Sequence, residues 1–390
     1  MATFPVKWFA SNMQGAPAIT DSTAGGLAAL LKAVLVTGFG TLTVNSLVWD
    51  ATENAAKATI SAGHAYKQDS VIEVGGASPA AYNGEHRVKK VSTTEVWFEL
   101  DGGNPGSAGS GTMSMKVASL GWTLTHESAD GMVAIYRPTD VSASGNVSLR
   151  IDNTAFTGWT GTAQWLAKVQ LVEDVVDINT YTLIYDHRWP ATQNLSDKRW
   201  DLIGDSQLFY WLPAYGTHNF QALYLFGYLK SVRPGDRYHA ILATYPQADA
   251  SNTSRRWDSS SSYLNNLLTF DDSNHRAMAR PYSQLFGVTN WLIKGLFTRF
   301  GYGLPVPNGP DNGMYFTSGP FMVLEANSHL RGYIPGLIQP FGTVSAWSRK
   351  NFANMPAFPN KIVRFIQAAY TENYNQTPVL IGFDLTGPWR

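Results

Sequence analysis

Between Ile60 and Phe98 the chain packs turn signals and strand-period runs closely together. Gly63-His64, Tyr66 and Asp69 lead into Val71-Ile72 and Val74-Gly75-Gly76; Tyr82-Asn83-Gly84 leads into His86 and Val88; Val91 leads on to Val96-Trp97-Phe98. Short β-branched and aromatic runs separated by glycine-rich turns read as strands, and so many in a short span predict a small, tightly wound β-barrel. No other stretch carries a catalytic signature, so this module weighs most in any functional reading.

Composition points the same way for the whole chain. The 390 residues are long enough for a large core and two or three domains. Thirteen Trp, 18 Tyr and 19 Phe suit half-buried strands, and 35 Gly with 20 Pro supply turns. Formal net charge is zero and 15% of residues are charged, so no basic footprint for nucleic acid is present. Cysteine is absent, which excludes disulfides, thiolate metal sites and cysteine nucleophiles. No run of 18 apolar residues occurs, and Met1 to Trp8 lacks a charged region followed by an apolar one, so no membrane insertion is expected.

Asp21 or Ser22 can cap a helix whose apolar stripe is Leu27, Leu30, Leu31, Val34 and Leu35, with Gly38 and Gly40 as its stop. The barrel follows, with strands at Leu47–Trp49, Ala58–Ile60, Val71–Val74, His86–Val91, Val96–Leu100 and Met113–Val117. Asn83-Gly84 predicts a tight hairpin turn, because both residues tolerate positive φ. Gly102–Gly111 predicts a flexible loop. Further on, Met132–Arg137 and Val147–Asp152 read as strands, while Ala163–Val176 fits helix or strand. Arg199–Trp211 reads as a hairpin turning at Gly204-Asp205-Ser206, and Ala222–Leu229 as a buried strand. Arg233–Asp236 is turn chemistry; 249–262 and 301–320 are long loops; Arg331–Leu337, Lys361–Phe365 and Val379–Asp384 are late strands. The expected fold is mainly β: an N-terminal segment with a helix (1–43), a small inserted β-barrel (44–117) and a larger antiparallel β-sandwich or barrel (118–390).

Gly63-His64, Tyr66, Asp69, Val71-Ile72, Gly75, Tyr82-Asn83-Gly84, Val88, Thr94, Val96 and Phe98 resemble a small β-barrel of phage tail and virion proteins. That module is named after the first catalytic cysteine half-domain of ubiquitin-activating enzymes. It covers under a fifth of the chain, and with no cysteine and no nucleotide loop it carries no ubiquitin chemistry here. The helical opening, Trp200–Asp205 and Leu330–Leu337 also look like structural proteins of tailed phages and prophages. The resemblance implies a virion subunit, assembled in the host cytoplasm, in the tail tip or baseplate. A neck or head accessory role is the alternative placement.

Catalytic chemistry finds little purchase. The eight histidines, His64, His86, His126, His187, His218, His239, His275 and His329, include no pair at helical i, i+3 or i, i+4 spacing and no zinc-protease motif. His64, after a glycine in a turn, reads as a structural hydrogen-bonding residue. A glycan hydrolase needs two carboxylates across a cleft, and Asp271-Asp272, Glu173-Asp174 and Asp201 with Asp205 are the available sources. Adjacent acids in loops more often cap turns. Gly204-Asp205-Ser206 lacks the Gly-x-Ser-x-Gly pattern of a nucleophile elbow. No catalytic, cofactor-binding or metal-binding residue is therefore assigned, and no cofactor is expected. Arg255, Arg256, Trp257, Tyr263 and Tyr315 are the candidate interface or receptor contacts, since aromatics in long loops suit subunit contact or sugar stacking. The expected function is a non-enzymatic structural subunit that assembles with other virion proteins and with copies of itself. Attachment to a host-surface glycan or pilus is the alternative.

Overall fold

A computed structural model describes residues 4–19, 24–155, 166–191, 199–214, 220–244, 276–294, 304–317, 319, 321–325, 329–342, 344–368 and 379–390. The fold is mainly β, as expected: four sheets, almost wholly antiparallel, hold the described residues, and Gly26–Lys32 is their longest α-helix.

The small barrel is a seven-stranded sheet. Its order is Phe39–Thr43, Ser114–Val117, Val71–Gly75, Gly84–Val91, Glu95–Phe98, Ala55–Thr59, Ser46–Asp50. The two outermost strands are consecutive in the chain, joined by Val44 and Asn45. Val44 N–H donates to Met113 O on one side and Asn45 N–H to Thr59 O on the other. The sheet therefore curls until both ends meet in one bent run, which removes the edges. Strand Phe39–Thr43 lies upstream of position 44.

Two local expectations are corrected. Asn83 is extended (φ −79°), and only Gly84 has positive φ (105°). The loop closes instead through a 3₁₀ turn, Ala80–Tyr82, and the Asn83 side chain, which accepts from Ala77 N–H (2.9 Å) and donates to Ala77 O (2.7 Å). Asn thus acts here through its amide rather than through left-handed backbone. The glycine-rich loop is also pinned: Gly109 N–H donates to Leu47 O, and Ser110 exchanges backbone hydrogen bonds with Ser78.

The ambiguous 163–176 segment is strand from Leu166 to Glu173, in the order Thr182–Pro190, Leu166–Glu173, Ser148–Asp152, Val133–Arg137, Thr123–Glu127. Pairing on both edges, to Ser148–Asp152 and Thr182–Pro190, decides it, and Ala167, Val169 and Leu171 are all fully or nearly fully buried at strand period. The helix packs nearby. Its expected caps, Asp21 and Ser22, lie outside the described residues, and its first turn is held from afar. Asn153 Oδ1 accepts from Leu27 N–H (3.0 Å) and Asn153 O from Gly25 N–H (3.1 Å). The stripe Leu27, Leu30, Leu31, Val34 and Leu35 is fully buried, the last two in a π turn that Gly38 ends.

The largest sheet has ten strands. The hairpin Trp200–Gly204 with Leu208–Pro213 forms as expected, with Asp205 Oδ1 accepting from Gln207 and Leu208 N–H (both 2.8 Å). Beyond it come Tyr224–Tyr228, Ala240–Ala243, Arg276–Met278, Thr289–Lys294, Phe321–Glu325, His329–Ile334 and Lys230–Ser231. Since Lys230–Ser231 continues Tyr224–Tyr228 through Leu229, six antiparallel strands return to their starting run, a second rolled sheet. Gly332 allows the seam: a Cβ there would lie 2.3 Å from Lys230 O.

Tryptophan fills the core around this sheet. Trp189, Trp200, Trp211 and Trp291 are essentially inaccessible. Trp189 Nε1 donates to Ala243 O (2.8 Å), Trp200 Nε1 to Pro17 O (3.0 Å) and Trp291 Nε1 to Ala277 O (3.1 Å), so three of these rings are buried with their polar edge satisfied, while Trp211 Nε1 has no hydrogen-bond partner among the described residues. The fourth sheet runs Phe220–Gln221, Phe358–Ala368, Val379–Asp384, Leu337–Pro340, Phe316–Thr317, with Lys350–Met355 also paired to Phe358–Ala368. Its pairing of Phe220–Gln221 with Phe358–Ala368 is parallel.

A buried ion cluster binds this sheet to its neighbours. Asp201 accepts from Arg364 Nη2 (2.5 Å), Arg364 Nε (3.1 Å) and Gln221 Nε2 (2.9 Å), and pairs with Arg349 Nε (3.2 Å). Arg364 also stacks 4.0 Å from the Trp8 ring centre. Asn351, across the ladder from Arg364, donates to Asp69 of the small barrel (3.2 Å). Three sheets therefore share one polar junction, and one apolar core runs from Val6 to Trp389 through all of them.

Candidate interaction surface

Among the described residues the most exposed cluster of large apolar side chains sits on one hairpin of the second rolled sheet. The loop between Arg276–Met278 and Thr289–Lys294 presents Tyr282 (49% exposed), Leu285 (71%), Phe286 (66%) and Val288 (43%). Full burial of a side chain of this size is worth about 1.5–3 kcal/mol, and these four, each roughly half or more exposed, forgo a large part of it. Apolar patches of this kind mark contact surfaces.

The hairpin is held, not loose. Gln284 takes positive φ (65°), and its N–H closes a turn on Pro281 O (2.9 Å). Tyr282 N–H donates to Glu325 Oε1 (2.8 Å), and Gln284 Nε2 to Asp236 Oδ1 (3.2 Å). Those two carboxylates are joined by Arg331, which donates Nη1 to Glu325 (2.5 Å) and Nε to Asp236 (2.8 Å). Arg280, at the base of the loop, pairs with Glu173 and lies 3.8 Å from the Tyr238 ring centre. Arg233 lies 4.7 Å from the Tyr282 ring centre and donates to its carbonyl. Burial works to raise the Asp236 carboxyl, but the Arg331 hydrogen bonds and charge win and hold it at about 2. The Asp236–Arg331 pair stays ionised at neutral pH, and the network around it fixes the apolar tip above.

The residues singled out by sequence fall elsewhere. Arg255, Arg256, Trp257 and Tyr263 lie outside the described residues, as do Asp271 and Asp272. Tyr315 is described and 44% exposed, but its hydroxyl donates to Asp311, which also accepts from Gly313 N–H and Asn308 Nδ2. It belongs to a turn distinct in sequence from the apolar hairpin. The other acidic pairs are tied up structurally. Asp201 is at the ion cluster, Asp205 caps its hairpin and pairs with Arg390, Glu173 is on Arg280, and Asp174 accepts from Asn146 (3.0 Å). His64 is structural: its Nε2 contacts Glu95 O (3.1 Å), and its Nδ1 accepts from Tyr66 N–H (3.2 Å).

Sequence reading passed over Tyr282, Leu285, Phe286 and Val288. Their signal was available: an apolar Leu-Phe-Gly-Val run directly after Pro281-Tyr282-Ser283-Gln284 turn chemistry, where a solvated loop would be polar. No protein-family model matches the chain, and no curated protein matches it.

Proposed function

We propose that this chain is a non-enzymatic structural subunit of a bacteriophage virion, at the tail tip or baseplate, and that it assembles through protein–protein interfaces with other virion proteins and with copies of itself. The observation that carries the reading is the apolar tip Tyr282–Val288 held on a charged, buried anchor. A loop whose backbone is fixed in advance loses little entropy on association, and its aromatic and aliphatic side chains are those that anchor interfaces. The small barrel, similar to a module of phage tail proteins, supports the same reading. So does the engagement of Asp201, Asp205, Glu173 and Asp174 in structural contacts, which leaves none of them as a facing pair for hydrolysis.

The test is incorporation. Mass spectrometry of purified particles should find the chain at fixed copy number. A chain carrying both Leu285→Asp and Phe286→Asp should fold normally, yet be missing from particles. Its absence from wild-type particles would end the proposal.

A further inference from the structure

A separate cleft on the five-stranded sheet has the chemistry of an anion site. It measures about 160 Å³ and is lined by Thr125, His126, Arg137, Asn146, Ser148 and Val175. A β-bulge builds it. Ile135 pairs with His126 and Tyr136 with Leu124, so Thr125 is the extra residue, and Thr125 and His126 both reach the cleft although they are adjacent in the strand. Without the bulge, strand alternation would send one of them to the opposite face. On the other side, Tyr136 pairs with Leu149, which puts Arg137 and Ser148 next along that ladder.

Two nitrogens of the lining are buried and lack hydrogen-bond partners among the described residues: Arg137 Nε and His126 Nδ1. The guanidinium N–H can only donate. A buried cationic donor without an acceptor is unfavourable, and an incoming oxygen would relieve it. Ser148 is 4% exposed and adds a hydroxyl; Thr125 and Asn146 complete a polar wall. Among the described residues no carboxylate lines the cleft. Two acids lie close by: Asp174 accepts from the cleft residue Asn146, and Asp177, whose charge faces His126, accepts from the N–H groups of Asn179 and Thr180.

The geometry points to an oxyanion-binding cleft, with Arg137, His126 and Ser148 as donors to a phosphate-, sulfate- or carboxylate-bearing ligand. At about 30 Å³ per water the cleft holds on the order of five waters, room for one such group and its hydration rather than an extended chain. This site is independent of the apolar hairpin and of the assembly role.

Isothermal titration of the full chain with inorganic phosphate, sulfate and acetate tests it. At least one should bind saturably, with a Kd of about 1 mM or tighter, and should shift the His126 imidazole resonances. The ratio of phosphate to acetate affinity then separates a tetrahedral oxyanion from a carboxylate. Arg137→Gln should weaken binding about 10-fold or more, because a charge-assisted hydrogen bond is lost. If Arg137→Gln misfolds by circular dichroism, Ser148→Ala and His126→Asn provide the same comparison. Lys350→Gln, on an exposed residue of another sheet, should leave binding unchanged. Non-saturable heats with all three anions, or equal affinity in wild type and the cleft variants, would overturn the assignment.

Discussion

Arg331 grips Asp236 with two parallel hydrogen bonds, Nε to Oδ2 at 2.8 Å and Nη2 to Oδ1 at 3.0 Å, and neither side chain is more than 1% exposed. Asp236 lies in the turn after Lys230–Ser231, and Arg331 on the strand that pairs with Lys230–Ser231. The pair therefore locks the seam where the second rolled sheet meets itself.

Removing one member strands the other. Asp236→Asn should destabilise the fold by about 3–5 kcal/mol, the cost of a broken buried pair. It should also loosen the Tyr282–Val288 hairpin, because Gln284 and Arg331 both lose an acceptor charge. Urea unfolding measures the first effect and hydrogen exchange at Tyr282 the second.

The Asp201 junction makes a sharper case for coupling. Asp201→Asn and Arg364→Gln should each cost about 3 kcal/mol or more, but the double variant should cost much less than their sum. A double-mutant cycle by denaturant unfolding checks this, and additive losses would contradict a shared network.

Acid should weaken the fold in two stages. Burial pushes His187 and His239 down to about 4, so both stay neutral in the folded chain. Below pH 6.5 the unfolded chain takes up protons that the folded chain refuses, so stability falls as pH drops from 6.5 towards 4. Each histidine accounts for about 3 kcal/mol over that window. Asp236, held at about 2 against an ordinary 3.8, adds a second loss of about 2 kcal/mol between pH 4 and pH 2. Thermal melts across this range should show both steps, and His239→Asn should flatten the first.

Gly332 should tolerate no side chain. Its missing Cβ faces Lys230 O and Leu229 Cδ1 at 2.3 and 2.2 Å, so Gly332→Val must part the seam. A loss of about 3 kcal/mol or more is expected in Tm or denaturant midpoint, the range of severe overpacking.

Leu285→Asp with Phe286→Asp should behave oppositely. Both side chains are mostly in water, so isolated-chain stability should change by no more than about 0.5 kcal/mol per site. Unchanged unfolding together with lost incorporation separates an interface from a folding defect.

Local pattern carried much of the architecture. Turn chemistry placed the Gly204–Ser206 hairpin and the Arg233–Asp236 turn, and strand-period runs placed most of the small barrel. Long-range partners were what local pattern could not show. Leu166–Glu173 becomes strand because sheet neighbours cover it, and Asn83 spends its amide on Ala77 instead of bending its backbone. The apolar hairpin was missed for a related reason. Hydropathy alone does not separate an exposed apolar run from a buried one, and only the packing shows Leu285 and Phe286 left 71% and 66% exposed, with Arg280 beside the Phe286 ring.

The long-distance cap on the first helix has a consequence for synthesis. Gly26–Lys32 takes its starting acceptors from Asn153, whose own N–H is held by Met132 O. A nascent polypeptide halted before codon 153 lacks those acceptors, so its earliest helix waits for a segment made much later. Ribosome-bound fragments ending on either side of that codon should differ in protease resistance at Leu27–Leu35.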